Sequence, residues 1–119
     1  MNKVLEIEQT DETPYVKISL NDKVFECTGK SLSCASYYFY QPIISFLEEN
    51  KDSINNLHCT VKMKYINSQS NKLLLDIFKK IAKTNSIVYW HYKLTDEDML
   101  EIGVMYAELA DILFVFNEY

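Results

Sequence analysis

The 119-residue chain has no arginine, only 2 glycines and 2 prolines, and an odd count of 3 cysteines. So little glycine and proline, with no low-complexity tract, excludes collagen-like, linker-rich and disordered chains. Cys27, Cys34 and Cys59 show no CxxC spacing, so neither a disulfide framework nor a zinc knuckle is indicated and reduced thiols are expected. The missing arginine removes the planar forked donor that commonly grips phosphates and guanine edges, which argues against sequence-specific nucleic-acid binding. The longest apolar runs, such as Leu73-Leu74-Leu75 and Ile112-Leu113-Phe114-Val115-Phe116, fall far short of the roughly 20 residues that cross a bilayer. No membrane segment is expected. The start Met1-Asn2-Lys3-Val4-Leu5-Glu6 lacks the apolar stretch of a secretory signal, which points to a cytoplasmic protein.

What is present is 48% hydrophobic and 13% aromatic residues, enough for a single domain over residues 1–119 with its own core. The net charge of -5 is unevenly spread. Residues 1–60 carry 5 Lys against 9 acids, residues 61–93 carry 7 Lys against the single Asp76, and residues 94–119 carry 7 acids and no Lys.

Alternation of apolar and polar residues predicts strands over 3–8, 14–20 and 23–28, with Asn21-Asp22 as the turn of a hairpin and Gly29 ending it. Tyr38, Phe39, Ile43, Phe46 and Leu47 fall at helical spacing within 35–50, where Pro42 marks a kink or the true helix start. Residues 57–66 alternate again, with Leu57, Cys59, Val61, Met63 and Tyr65 on one face of a strand and His58, Thr60, Lys62, Lys64 and Ile66 on the other. Over 68–84 the period changes to 3.6, with Leu74, Ile77, Phe78 and Ile81 as the apolar stripe. A strand over 86–92, a helix opening at Thr95-Asp96-Glu97-Asp98 and running to about 110, and a strand over 112–116 complete the chain. The order β-β-β-α-β-α-β-α-β implies an α+β domain, a single mixed β-sheet with about three helices packed on one face.

Catalytic ingredients are thin. His58 and His91 stand on separate strands without a ligand partner at i+2 or i+4, so no metal site is expected. Gly29 and Gly103 are too far apart for a phosphate loop. The run Asp96, Glu97, Asp98 and Glu101 reads first as capping and dipole compensation at a helix start, with a partner contact or a divalent cation as the alternatives. Neither an enzyme nor a cofactor is indicated. The informative segment is Tyr65-Ile66-Asn67-Ser68-Gln69-Ser70-Asn71-Lys72, which joins a strand to a helix. There Asn67 or Ser68 can accept from the free N–H groups as N-cap. The same free donors and the helix dipole also favour an added phosphate, with Lys72 one turn on and Lys64 on the strand as pairing cations, so the turn reads either as a plain cap or as a phosphorylatable switch.

That segment, with Trp90-His91-Tyr92 and Asp96-Glu97-Asp98-Met99-Leu100-Glu101-Ile102-Gly103 downstream, resembles the SiaC family of bacterial biofilm-regulatory phosphoproteins. Upstream, Thr13-Pro14, Gly29-Lys30-Ser31 and Phe39-Tyr40-Gln41-Pro42 fall in the family's order, so the resemblance covers nearly the whole chain. Ser68 stands where the family has a threonine, Gln69 where it has a serine, Ile66 where it has a phenylalanine, and Ser33-Cys34 where it commonly has Pro-Glu. The resemblance implies a layered fold like that of anti-anti-sigma factors (STAS-like). It also implies a non-catalytic partner-switching adaptor that binds and activates a diguanylate cyclase when unphosphorylated. Ser68, with Ser70 as alternative, is then the residue phosphorylated by a dedicated Ser/Thr protein kinase and cleared by a PP2C-type phosphatase. Tyr65, Asn67, Ser70, Lys72, Trp90, Asp96 and Asp98 are the implied partner-binding or switch-supporting residues. The alternative is a module of the same fold that binds a protein or small molecule constitutively, with Ser68 only part of a helix start.

Overall fold

The computed structural model describes residues 3–119. Its elements run β1 (Val4–Ile7), β2 (Tyr15–Ser19), β3 (Val24–Ser31), α1 (Ser36–Glu49), a single 3-10 turn (Lys51–Ser53), β4 (His58–Ile66), α2 (Ser68–Ile81), β5 (Ile87–Tyr92), α3 (Glu97–Ala110) and β6 (Leu113–Glu118). The six strands form one sheet in which spatial order equals chain order. β1, β2 and β3 pair antiparallel, and β3 to β6 pair parallel. Each parallel step needs a crossover, and crossovers of one hand that always advance to the next strand place their helices on the same face. α1, α2 and α3 therefore lie side by side, α2 between the other two.

Burial follows from that layering. Val16 and Ile18 on β2, Phe25 and Cys27 on β3, Cys59, Val61 and Met63 on β4 and Val88 and Trp90 on β5 are all buried beneath the helices. The opposite face is wet, with His58, Lys62 and Lys64 exposed on β4. Leu74, Ile77, Phe78 and Ile81 of α2 are buried as the stripe requires. Phe78 meets Trp90, Tyr106 and Phe114 at ring-centroid distances of 6.5, 5.2 and 5.4 Å. α3 reaches this cluster by close approach at Gly103, where an added Cβ would lie 2.5 Å from the Trp90 indole nitrogen.

Four local expectations are corrected. Gly29 does not end its strand: β3 continues to Ser31, because Gly29 at φ 122° adopts a conformation open to few other residues. Pro42 lies inside α1, whose start is Ser36, so it does not begin the helix. α2 ends at Ile81, with Lys83 and Asn85 in left-handed conformation and the Thr84 hydroxyl donating to the freed Ile81 carbonyl at 2.6 Å. The alternation along β4 breaks near its end: Gly29 pairs with Met63 but Lys30 with Tyr65. Lys64 is thus the extra residue of a bulge, and beyond it the faces exchange, which turns Tyr65 out and Ile66 in.

Truncation of Phe78 to Ala is expected to cost about 3–5 kcal/mol, because it empties the centre of the ring cluster. Gly103→Ala is expected to cost roughly 1–3 kcal/mol despite the better helix propensity of alanine, because the new methyl collides with Trp90. Urea unfolding monitored by tryptophan fluorescence checks both.

Candidate functional site

The candidate site lies where β3 and β4 end and α1 and α2 begin, at the carboxyl ends of two neighbouring parallel strands. Asn67 is the N-cap of α2 in extended conformation, and its Oδ1 accepts from the Ser70 amide at 2.8 Å. Its Nδ2 donates to the Ser33 carbonyl at 3.2 Å and its own amide donates to the Ser31 carbonyl at 2.9 Å. One asparagine thereby caps a helix and ties it to the loop after β3. The reciprocal tie comes from Gln69, whose Oε1 accepts from the Ser36 amide at 3.2 Å. This matters because Ala35, at the N-cap of α1, offers no side-chain acceptor.

Beneath the turn lies a buried hydroxyl cluster. The Ser70 hydroxyl meets those of Ser31 at 2.6 Å and Ser36 at 2.8 Å, and donates to the Ser31 carbonyl at 3.3 Å. Ser31 also meets the Tyr40 hydroxyl at 2.6 Å, and Ser36 donates to the Ser33 carbonyl at 2.6 Å. All four residues are buried, and burial raises the Tyr40 phenol above its ordinary range, so it remains a neutral hydroxyl in the cluster. Ser70, the alternative phosphoacceptor, is 0% exposed. It is a structural hydroxyl that no kinase reaches without unwinding the first turn of α2.

Ser68 has the opposite surroundings. It is exposed at the first position of α2, with Gln69 and Lys72 exposed beside it. Tyr65, three residues before it, is 53% exposed, and at the start of α1, tied to α2 through the Ser36 amide and Gln69, Tyr37 and Tyr38 are 52% and 78% exposed. Tyr37 and Tyr38 stand edge to face at 5.7 Å. These two tyrosines were missed in sequence because they sit on a helix whose other aromatics are core. The apolar spacing over 35–50 counted Tyr38 with the buried face, and its exposure corrects that, since Tyr40, Ile43 and Leu47 fill the face instead.

The remaining expected residues separate. Trp90 is buried at 0% exposure and donates to the Met99 carbonyl at 3.0 Å. It is a core residue that holds α3 on the sheet, and it offers a partner no surface. Asp96 caps α3, accepting from the Met99 amide at 3.0 Å. Asp98 is exposed in the first turn of α3, on a hollow shared with Asn71 of α2. Among the described residues no group of three or more His, Cys, Asp or Glu side chains could hold a metal ion, and no helix is long and apolar enough to cross a membrane.

The model of the SiaC family of regulatory phosphoproteins matches residues 7–119. The chain belongs to the SiaC family. The resemblance carried by the turn motif and its flanking segments holds over almost the full length. SiaC of Pseudomonas aeruginosa superposes with a TM-score of 0.86 at 21% identity, covering 100% of both chains. Its apo crystal structure gives 0.85 at 21% identity, covering 98% of this chain and 99% of that one. The crystal structure of the diguanylate cyclase SiaD in complex with its activator SiaC, from the same organism, gives 0.86 at 21% identity, covering 97% of this chain and 99% of that one. No curated protein matches the chain in sequence. The α+β fold with three helices and a mixed six-stranded sheet is thus the fold of SiaC.

Asn67→Ala is expected to lower stability by about 1–2 kcal/mol, since it removes a cap and leaves a buried turn short of bonds. Ser68→Ala, at an exposed position outside the hydroxyl cluster, is expected to stay within about 0.5 kcal/mol of the parent. Thermal and urea unfolding of the two variants side by side checks the division of labour.

Proposed function

We propose that this SiaC-family chain is a cytoplasmic, non-catalytic adaptor that binds and activates a diguanylate cyclase, and that reversible phosphorylation of Ser68 switches the contact off. A Ser/Thr protein kinase adds the phosphate and a PP2C-type phosphatase removes it. The observation that carries this reading is the contrast within one helical turn: Ser70 is locked in the buried cluster, while Ser68 stands open at the helix start, with exposed Tyr65 three residues before it. The relative's role as activator of the diguanylate cyclase SiaD supports the class of partner.

The physics of the switch separates folding from binding. A phosphate on Ser68 adds about -1.5 to -2 charges beside the free N–H groups of the first turn of α2, with Lys72 one turn on. The dipole contribution is favourable by roughly 0.3–2 kcal/mol, so the fold survives modification. At the surface the same group replaces a small hydroxyl by a hydrated dianion near Tyr65, an exposed aromatic that suits a desolvated contact. A partner seated there must strip that hydration without compensation, and binding weakens.

The test is to incubate the protein with a cognate kinase and ATP, locate the phosphate by mass spectrometry, and measure cyclase binding for the parent, Ser68→Ala and Ser68→Asp by calorimetry. Modification is expected at Ser68, with Ser68→Ala binding as the parent does and Ser68→Asp losing binding at an unchanged melting temperature. A Ser68→Asp protein that binds like the parent, with phosphate found elsewhere, would leave the constitutive module as the correct reading.

A further inference from the structure

β6 is a free edge of the sheet. It follows β5 in spatial order and pairs with no other strand among the described residues. Its backbone directions are fixed at its end, where the Tyr119 amide donates to the Tyr92 carbonyl at 2.9 Å and the Tyr119 carbonyl accepts from the Leu94 amide at 2.9 Å. Tyr119 thus turns both of its main-chain groups toward β5. Because a strand alternates, Leu113, Val115 and Asn117 do the same, while Ile112, Phe114, Phe116 and Glu118 turn theirs to the outer side. Edge strands of soluble proteins are commonly blunted by lysine, proline or a bulge. Leu113–Glu118 contains no lysine or proline, and its register with β5 runs unbroken from end to end. The edge is an open template for another strand.

The side chains along it are apolar on both faces of the sheet. On the wet face Leu113 is 61% and Val115 37% exposed, and on the helix face Phe116 is half-buried beside buried Phe114. α3, packed over β6, adds a second row. Met99, Gly103, Tyr106 and Ala110 are its buried residues, and Asp98, Ile102, Met105 and Leu109 lie toward α2. Helical geometry therefore puts Leu100, Val104 and Ala107, at i, i+4 and i+7, on the side away from α2 and above the free edge. None of the three is fully buried. The exposed Glu97, Glu101 and Glu108 lie farther round, on the outer surface.

We infer that two copies of this chain join through β6, antiparallel about a two-fold axis at Val115, into one continuous sheet. The outward main-chain groups select that register, because it alone pairs all four outward residues with one another: Phe114 with Phe116 of the second copy and Ile112 with Glu118. The same register sets a Phe114 ring beside a Phe116 ring twice. The strand ends are complementary in charge. Exposed Asp111 falls opposite Tyr119, which shares a hollow with exposed Lys93, so each copy sets a lysine against the other's aspartate. A two-fold contact must be complementary to itself, and this one is so in hydrogen bonds, apolar rows and charged ends, which favours a second copy over a foreign strand. A strip about 20 Å long and two layers deep stands at the small end of specific interfaces, so the dimer dissociates on dilution.

The experiment measures the mass of the full chain by sedimentation equilibrium from about 1 µM to 1 mM. The mass is expected to rise from the 14.0 kDa of one chain toward twice that value. Val115→Lys, at an exposed position, places like charges on the axis and is expected to raise the dissociation constant about tenfold or more with an unchanged circular dichroism spectrum. Leu109→Glu, on the α2 side of α3, is expected to leave it unchanged. Cross-linking by diamide reads the register in Cys34→Ser protein, in which the remaining thiols, Cys27 and Cys59, are buried. Val115→Cys, with Cα atoms about 4.5 Å apart across the axis, is expected to form an interchain disulfide, and Leu113→Cys, facing Asn117, is not. A mass of one chain throughout, a Val115→Lys dimer as tight as the parent's, or cross-linking at Leu113→Cys equal to that at Val115→Cys would each overturn the inference. No kinase, phosphate or cyclase enters the assay, so failure here leaves the Ser68 reading intact.

Discussion

The meeting of the Ser31, Ser36 and Ser70 hydroxyls, closed by Tyr40, is the constraint on which the helix layer depends where β3 and β4 end. Three elements converge there: the last residue of β3, the first of α1 and the first turn of α2. Hydroxyls in a buried site cost heavily when unpaired and specify geometry when every member is satisfied. Each of these has its partner, so the turn between β4 and α2 is held from below by bonds that tolerate little displacement. The exposed Ser68 inherits a fixed position without taking part in any of them.

That separation explains how a charge can be added at a helix start without endangering the fold. The cap is supplied by Asn67 and the buried bonds by Ser70, so Ser68 carries neither. Modification at Ser70 would break a satisfied buried network, whereas modification at Ser68 meets only solvent, free N–H groups and a lysine one turn away. The proposed switch residue thus lies where the folded state is indifferent or favourable to an added charge.

The other end of the helix layer is governed by packing. Gly103 lets α3 approach until the Trp90 indole donates to the Met99 carbonyl, and Phe78 fills the space between them. Here α3 is fixed to the sheet through its own backbone. Its outer face, acidic and partly apolar, is left to solvent. Buried contacts thus hold the helix layer on the sheet, and the exposed charged and aromatic side chains lie on the outer faces of the helices and at Tyr65.

Local periodicity by itself determined the order of the elements, the three-helix mixed sheet and the strand-to-helix junction at Asn67-Ser68, because alternation and 3.6-residue spacing are properties of neighbouring residues. The family motif around Ser68 was likewise legible, being contiguous. The rest required tertiary contacts. The bulge at Lys64 that turns Tyr65 outward arises from pairing with β3, and the continuation of β3 past Gly29 arises from the same register. Ser31, Ser36 and Ser70 are 5 and 39 positions apart from first to second and first to last, so no window of sequence reveals that they touch. The resemblance set Trp90 among the partner-binding or switch-supporting residues, and only the close approach of α3 at Gly103 decided that it is enclosed. Tyr37 and Tyr38 became exposed for the converse reason: α1 has one face to bury, and Tyr40, Ile43 and Leu47 occupy it.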